Sequence, residues 1–264
     1  MKRGKQLGNV RLKLEWAKQH AYRVKTDIQG WADVQSKNLT AVEIGKEYDD
    51  RKGCYVFRVT KFEPLPIQWS LVIGDALYNY RAALEYLAWH LVRAGTDPKP
   101  RSPKSVQFPI VATPEDFGNS TKNRLPGVKP AHLAVVERHQ PYHAAEQPSH
   151  HPLSVLVELS NTDKHYELQG AFIRHFGEFR INFVSASDFN FERLEPPEQL
   201  RDYFYLGAEL ALAYGRITGP NPDVRVNFEG SSSICLQNGM WVGDALDKIA
   251  EMITEIVNEI EPLL

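Results

Sequence analysis

Apolar residues recur near the start of the chain at Leu7, Val10, Leu14, Ala17, Ala21, Val24, Ile28 and Trp31. The steps alternate three and four, which is the seam of a packed helix. The last segment repeats the pattern at Leu246, Ile249, Ile253, Ile256, Ile260 and Leu263. Asn238-Gly239 before it is a turn signal, and Asp244 in its first turn suits the helix dipole. Between these ends the period changes. "LTAVEIG" and "CYVFRVTKF" read as strands joined across "KEYDDRKG", with Tyr55, Phe57 and Val59 on one face. A long helix is expected from Ile67 to Arg93, ended by Gly95 and Pro98. Residues 95–150, rich in Pro, Gly, Ser and His, read as a long irregular excursion, and Pro152–Leu159 as a helix. "ELQGAFIRHF", "FRINFVSASDFNFERL", "AELALAYGRI", "DVRVNFEG" and "SSSICLQ" read as β-rich, with "GEF" and "GPNPD" as turn signals. Residues 207–215 fit strand or helix, since Ala, Leu and Glu also favour helix. The expectation is one α+β domain over residues 1–264, an antiparallel sheet packed against long helices.

Charge sharpens this picture. Residues 1–25 hold eight Lys or Arg against one Glu, and residues 244–261 hold six Asp or Glu against one Lys. The two terminal helices should therefore lie together, basic flank near acidic flank. Over all 264 residues the net charge is only −2, so no global basic field marks a nucleic-acid binder. The cysteines, Cys54 and Cys235, form no CxxC and read as buried free thiols. No apolar stretch approaches the ~20 residues of a membrane span, and no signal-peptide h-region is visible. A cytoplasmic protein with no membrane partner is expected.

The long helix carries two faces. Ile73, Ala76, Leu77, Tyr80, Leu84, Leu87, Ala88 and Leu91 make a core face. Asp75, Asn79, Ala82, Tyr86, Trp89, His90 and Arg93 lie opposite. Asp75 and Asn79, one turn apart, either meet a ligand or hydrogen-bond a covering loop. Arg81 and Glu85 are spaced to pair. A second polar cluster is Asn161, Thr162, Asp163, Lys164 and His165. In an extended segment Asp163 and His165 would point the same way. At a helix end Asn161 and His165 would meet at i, i+4. As a catalytic set, His165 would be the base, Asp163 would orient it, and Lys164 or Arg81 would hold an anion. As structure, Asn and Asp stop helices and build turns.

These stretches resemble a family of uncharacterised bacterial, largely actinobacterial, proteins. Gly74, Asp75, Leu77, Asn79, Arg81, Ala83 and Leu84 match its G-D-x-L-x-N-L-R-S-A-L pattern; Phe108, Pro109 and Ile110 match its F-P-I; Asn161, Asp163, Lys164 and His165 match its N-x-D-K-H. Tyr80, Glu85 and Tyr166 depart from the usual residues. The resemblance covers most of residues 1–170. It implies no activity, only that the polar stretches belong to one design. "SNTDKH" also has the spacing of the R-N-x-x-x-H of helical HEPN nucleases, but Ser160 stands where their Arg does.

Two function classes remain. One is a hydrolase or nuclease with Asp163, Lys164, His165 and Arg81 as catalytic residues and Asp75, Asn79 and Asn161 binding the ligand. The other is a binding or assembly module in which the same clusters are braces, with a homo-oligomer formed through the terminal helices. Nucleic acid is a weak candidate partner. Seven of the nine histidines lie from His132 to His175 (His132, His139, His143, His150, His151, His165 and His175). No metal-motif spacing links them, the run "HQPYHAAEQPSHH" in the irregular region reads as solvated, and neither a metal ligand nor a cofactor is assigned.

Overall fold

A computed structural model describes residues 7–38, 42–62, 65–95, 103–144, 147–165, 171–183, 190–194, 204–205, 211–218, 224–236 and 238–264. The fold is α+β, as the periodicities require. The domain expected from the sequence is organised as two compact units. One comprises Met1–Thr26, Ile67–Gly170 and Val242–Leu264, the other Asp27–Pro66 and Ala171–Trp241.

The first unit is helical. Its elements are the first part of α1 (Gly8–Asn38), then α2 (Ile67–Ala94), α3 (Pro114–Arg124), α4 (Pro130–Arg138), α5 (Pro152–His165) and α6 (Val242–Ile260). Helices α2, α5 and α6 pack on one another, and α4 packs on α6. The core is the face read from the sequence: Ile73, Ala76, Leu77, Tyr80, Leu84, Leu87, Ala88 and Leu91 are all buried. Helix α6 adds Leu246, Ile249, Ile253, Ile256 and Ile260, each fully buried, and each such aliphatic side chain is worth roughly 1.5–3 kcal/mol gross. Leu7, Val10, Leu14, Ala17, Ala21 and Val24 of the α1 seam are buried too.

The terminal helices pair as the charges suggested. Lys25 Nζ donates to both carboxylate oxygens of Asp247 at 2.7 Å, and Arg11 reaches Asn258 Oδ1 at 3.1 Å and Glu261 Oε2 at 2.5 Å. An early residue of α1 thus meets the end of the C-terminal segment, and a later one meets the start of α6: the pair is antiparallel.

The irregular excursion expected over 95–150 is corrected by the structure, which holds α3, α4 and short 3-10 turns at Pro103–Ser105, Pro141–His143 and Pro148–His150. The prolines that read as breakers are starters. Pro occupies the first turn of α3, α4 and the two later 3-10 turns, where a missing N–H is harmless and its fixed φ suits the helix. Thr113 caps α3, its Oγ1 accepting from Asp116 N–H at 3.1 Å. Helix α5 also outruns its expected end at Leu159. Leu153, Leu156, Leu159 and Ser160 are buried, and packing carries the helix through the polar residues that propensity would use to stop it.

In the second unit every described strand pairing is antiparallel. One sheet has the order β1 (Val42–Asp49), β2 (Cys54–Phe62), β6 (Ala211–Thr218), β4 (Asn190–Arg193); the other has β5 (Phe204–Tyr205), β3 (Ala171–Phe183), β7 (Val224–Leu236). Strand β6 decides for its described residues between the two readings of 207–215. The turn expected at "GEF" does not occur: β3 runs straight through, with Gly177 opposite Gly230 of β7. Gly53 (φ 61°) closes the β1–β2 hairpin, donating to Asp49 O at 2.8 Å. Gly215 has a packing reason. A Cβ there would lie 2.1 Å from Phe191, whose ring packs edge-on to Phe57. Phe57 is buried as expected, but so is its neighbour Val56, and Tyr55 is only half-buried. The Val59 side chain lies outside the described residues. Cys54 and Cys235 are buried and not joined in a disulfide.

Candidate functional site

A cleft in the helical unit gathers parts of all three sequence patterns. It begins with the Arg81–Glu85 pair on α2, one turn apart and 2.5 Å from N to O. The pair does more than neutralise itself. Arg81 donates to the Phe108 carbonyl at 3.1 Å, and Phe108 N–H donates to Glu85 Oε2 at 3.0 Å. Both backbone groups of one residue are held by one ion pair, and the Phe108 side chain is fully buried. The other side of the segment is held by Gln140. Its Nε2 donates to Pro109 O at 3.0 Å and Val136 O at 2.9 Å, and its Oε1 accepts from Val111 N–H at 3.0 Å. Phe108-Pro109 is therefore a buried rail whose polar groups are met by side chains. Gln140 was not visible as a functional residue in the sequence, since nothing in its spacing points to residue 109.

Above the rail the cleft has a volume of about 570 Å³. Its polar wall is Arg81 and Glu85 of α2, Lys104, Arg124 at the end of α3, and Ser160 and Asn161 of α5; Val106, Ile110 and Val157 contribute apolar wall. Arg81, Lys104 and Arg124 line the cleft beside Glu85, whose carboxylate Arg81 engages. Ser160 is 4% exposed, and its Oγ is buried with no hydrogen-bond partner among the described residues. An orphaned buried hydroxyl costs about 1–3 kcal/mol unless something binds it. Lys104 and Arg124 were missed from the sequence because they fall in the supposed irregular region and only the fold brings them to α2.

The remaining expected site residues divide. Asn161 lines the cleft with Arg81. Asp75 and Asn79 do not line it. Asp75 is exposed, while Asn79, 5% exposed, is a brace. Its Nδ2 donates to Asp75 O at 2.7 Å, and its Oδ1 accepts from Lys13 Nζ at 2.8 Å, tying α2 to α1. Asp163, Lys164 and His165 continue α5 as helix; their side chains, like that of His175, lie outside the described residues. The solvated reading holds for His143 and His150, which are exposed, but not for His139, which is buried; His132, outside that run, is buried too. Each of those two finds an acceptor: His132 Nε2 lies 3.1 Å from Leu263 O and His139 Nε2 3.1 Å from Glu259 Oε1.

The shifted titrations lie elsewhere in the unit. Burial, then Arg93, holds His90 below the ordinary histidine value, and burial, then His139, does the same to His151. The Tyr80 phenol is pushed well up by burial, then by Asp247, and its hydroxyl has no partner among the described residues.

No protein-family model, no curated protein and no solved structure matches the chain. Among the described residues no helix is long and apolar enough to cross a membrane.

Proposed function

We propose that the helical unit binds a small anionic ligand, of the phosphate class, in the cleft between α2, α5 and residues 104–110. One observation carries the reading: the Ser160 hydroxyl is buried, and unpartnered among the described residues, on the wall of a cleft lined by Arg81, Lys104 and Arg124. A tetrahedral oxyanion accepts from Arg81, Lys104 and Arg124 and takes the Ser160 O–H as well. The volume lies within the ~300–1,000 Å³ of small-molecule sites. Arg81 stays fixed by its hold on Phe108, so the charge is pre-organised. Titration calorimetry with inorganic phosphate, pyrophosphate and a nucleoside monophosphate tests this. Saturable binding is expected, weakened tenfold or more by Ser160→Ala or Arg124→Gln with the far-ultraviolet spectrum unchanged. Binding that neither substitution affects sinks the proposal, as does none at all.

A second reading makes the cleft hydrolytic, with His165 as base, Asp163 orienting it, and Lys164 or Arg81 holding the phosphate. It is supported by Asn161, which opens the N-x-D-K-H stretch and shares the cleft with Arg81. On this reading the cation missing at Ser160 comes from the neighbouring helix. His165→Ala would then abolish cleavage of a phosphodiester or RNA oligonucleotide and leave phosphate affinity intact. Membership of the uncharacterised bacterial family is likewise a proposal, supported by the meeting of its three stretches at one place. So are a cytoplasmic location and self-association through the terminal helices. The exposed Leu12, Trp16 and Tyr22 of α1 support the latter.

A further inference from the structure

A second polar cluster lies between α4 and α6, and it does not depend on the cleft. His139 follows the last residue of α4, and its imidazole is only 8% exposed. It faces Glu255 and Glu259, one turn apart on α6. One ligating atom from each of the three residues falls within 4.8 Å of the others. His139 Nε2 lies 3.1 Å from Glu259 Oε1, and Arg138 holds the other oxygen of Glu259 at 2.5 Å. Among the described residues no cation pairs with Glu255. Two carboxylates at i, i+4 repel each other on an open helix face, and Arg138 answers only Glu259.

The geometry points to a divalent metal site formed by His139 Nε2 and the carboxylates of Glu255 and Glu259. Metal–ligand bonds of about 2.0–2.2 Å put neighbouring ligand atoms roughly 3–3.5 Å apart, and His139 and Glu259 already stand at that spacing. Glu255, exposed and unpaired, closes the set by a rotamer change. The ion then lies between the imidazole and the carboxylates, replacing their direct hydrogen bond. Arg138 keeps the non-ligating oxygen of Glu259 and fixes its orientation, the usual part of an outer-shell partner. One imidazole with two carboxylates suits zinc or manganese better than calcium or magnesium, which favour all-oxygen sets. Three protein ligands leave a position for water.

The test uses the full chain, freed of metal with a chelator and titrated with Zn²⁺ and Mn²⁺ at pH 7.5. One equivalent bound at micromolar affinity or tighter, with a raised melting temperature, is the expected result. Glu255→Gln should weaken that binding at least tenfold while the metal-free melting temperature stays the same; His139→Asn should abolish it. His143→Ala and His150→Ala, at exposed histidines nearby, should bind like the parent. Absence of stoichiometric metal overturns the proposal. So does equal binding by Glu255→Gln, or loss of binding in the His143 and His150 variants, which would place the ion in the exposed loop.

Discussion

Tyr80 sits on the core face of α2, fully buried, and its hydroxyl has no partner among the described residues. A buried phenol resists ionisation, so its folded value lies above the ordinary ~10. The folded state therefore keeps a proton that the unfolded state releases. The contribution to stability is complete below about pH 10 and is lost as pH rises from there toward the raised folded value. Tyr80→Phe removes both the orphan hydroxyl and this slope. It should be neutral or stabilising by up to ~1 kcal/mol at pH 8, and its advantage should grow by pH 10.5. Urea denaturation of both proteins at the two pH values checks this; equal slopes would mean that the hydroxyl has a partner or reaches water. His90 and His151 work in the opposite sense. Their depressed values contribute stability above the ordinary ~6.5 that is lost as pH falls.

Between elements, buried polar contacts outweigh the conspicuous surface charges. The Lys25–Asp247 pair links α1 to α6 but is partly exposed, and exposed pairs are worth about 0–1 kcal/mol. Its value is in choosing which helices pair. The Arg81–Glu85 pair holds a buried backbone segment against α2, so its loss leaves Phe108 N–H without an acceptor and Arg81 without a counter-ion. Glu85→Ala should cost about 1–3 kcal/mol, against less than 1 for Lys25→Ala. Denaturant midpoints of the two variants test the contrast, and an equal small effect would show that the clamp is not what fixes residues 106–111. Arg81 and Phe108-Pro109-Ile110 stand apart in the sequence, and the clamp joins them by a contact between residues 27 apart in the chain.

At the scale of the molecule, the helical unit is assembled from three separated stretches of chain. Helix α6 comes last and supplies nine buried residues to it. Their burial is worth on the order of 10 kcal/mol or more gross, comparable to the whole net stability of a domain at about 5–15 kcal/mol. A chain ending at Trp241 should therefore lose cooperative unfolding of this unit. Thermal melts followed at 222 nm would show it; a cooperative transition missing only the signal of α6 itself would argue that α2 and α5 suffice. The sequence by itself determined the periodic elements: the α1 and α6 seams, the core face of α2, and the charge bias that pairs the terminal helices. These are legible because hydrophobic period and charge are local properties of the chain. Tertiary structure alone decided that α5 continues through "SNTDKH", that proline starts α3 and α4, and that Lys104, Arg124 and Ser160 face Arg81. It also brought His139 to Glu255 and Glu259. Those choices depend on which partner is available to bury a side chain or accept a hydrogen bond, and that partner lies tens to more than a hundred residues away.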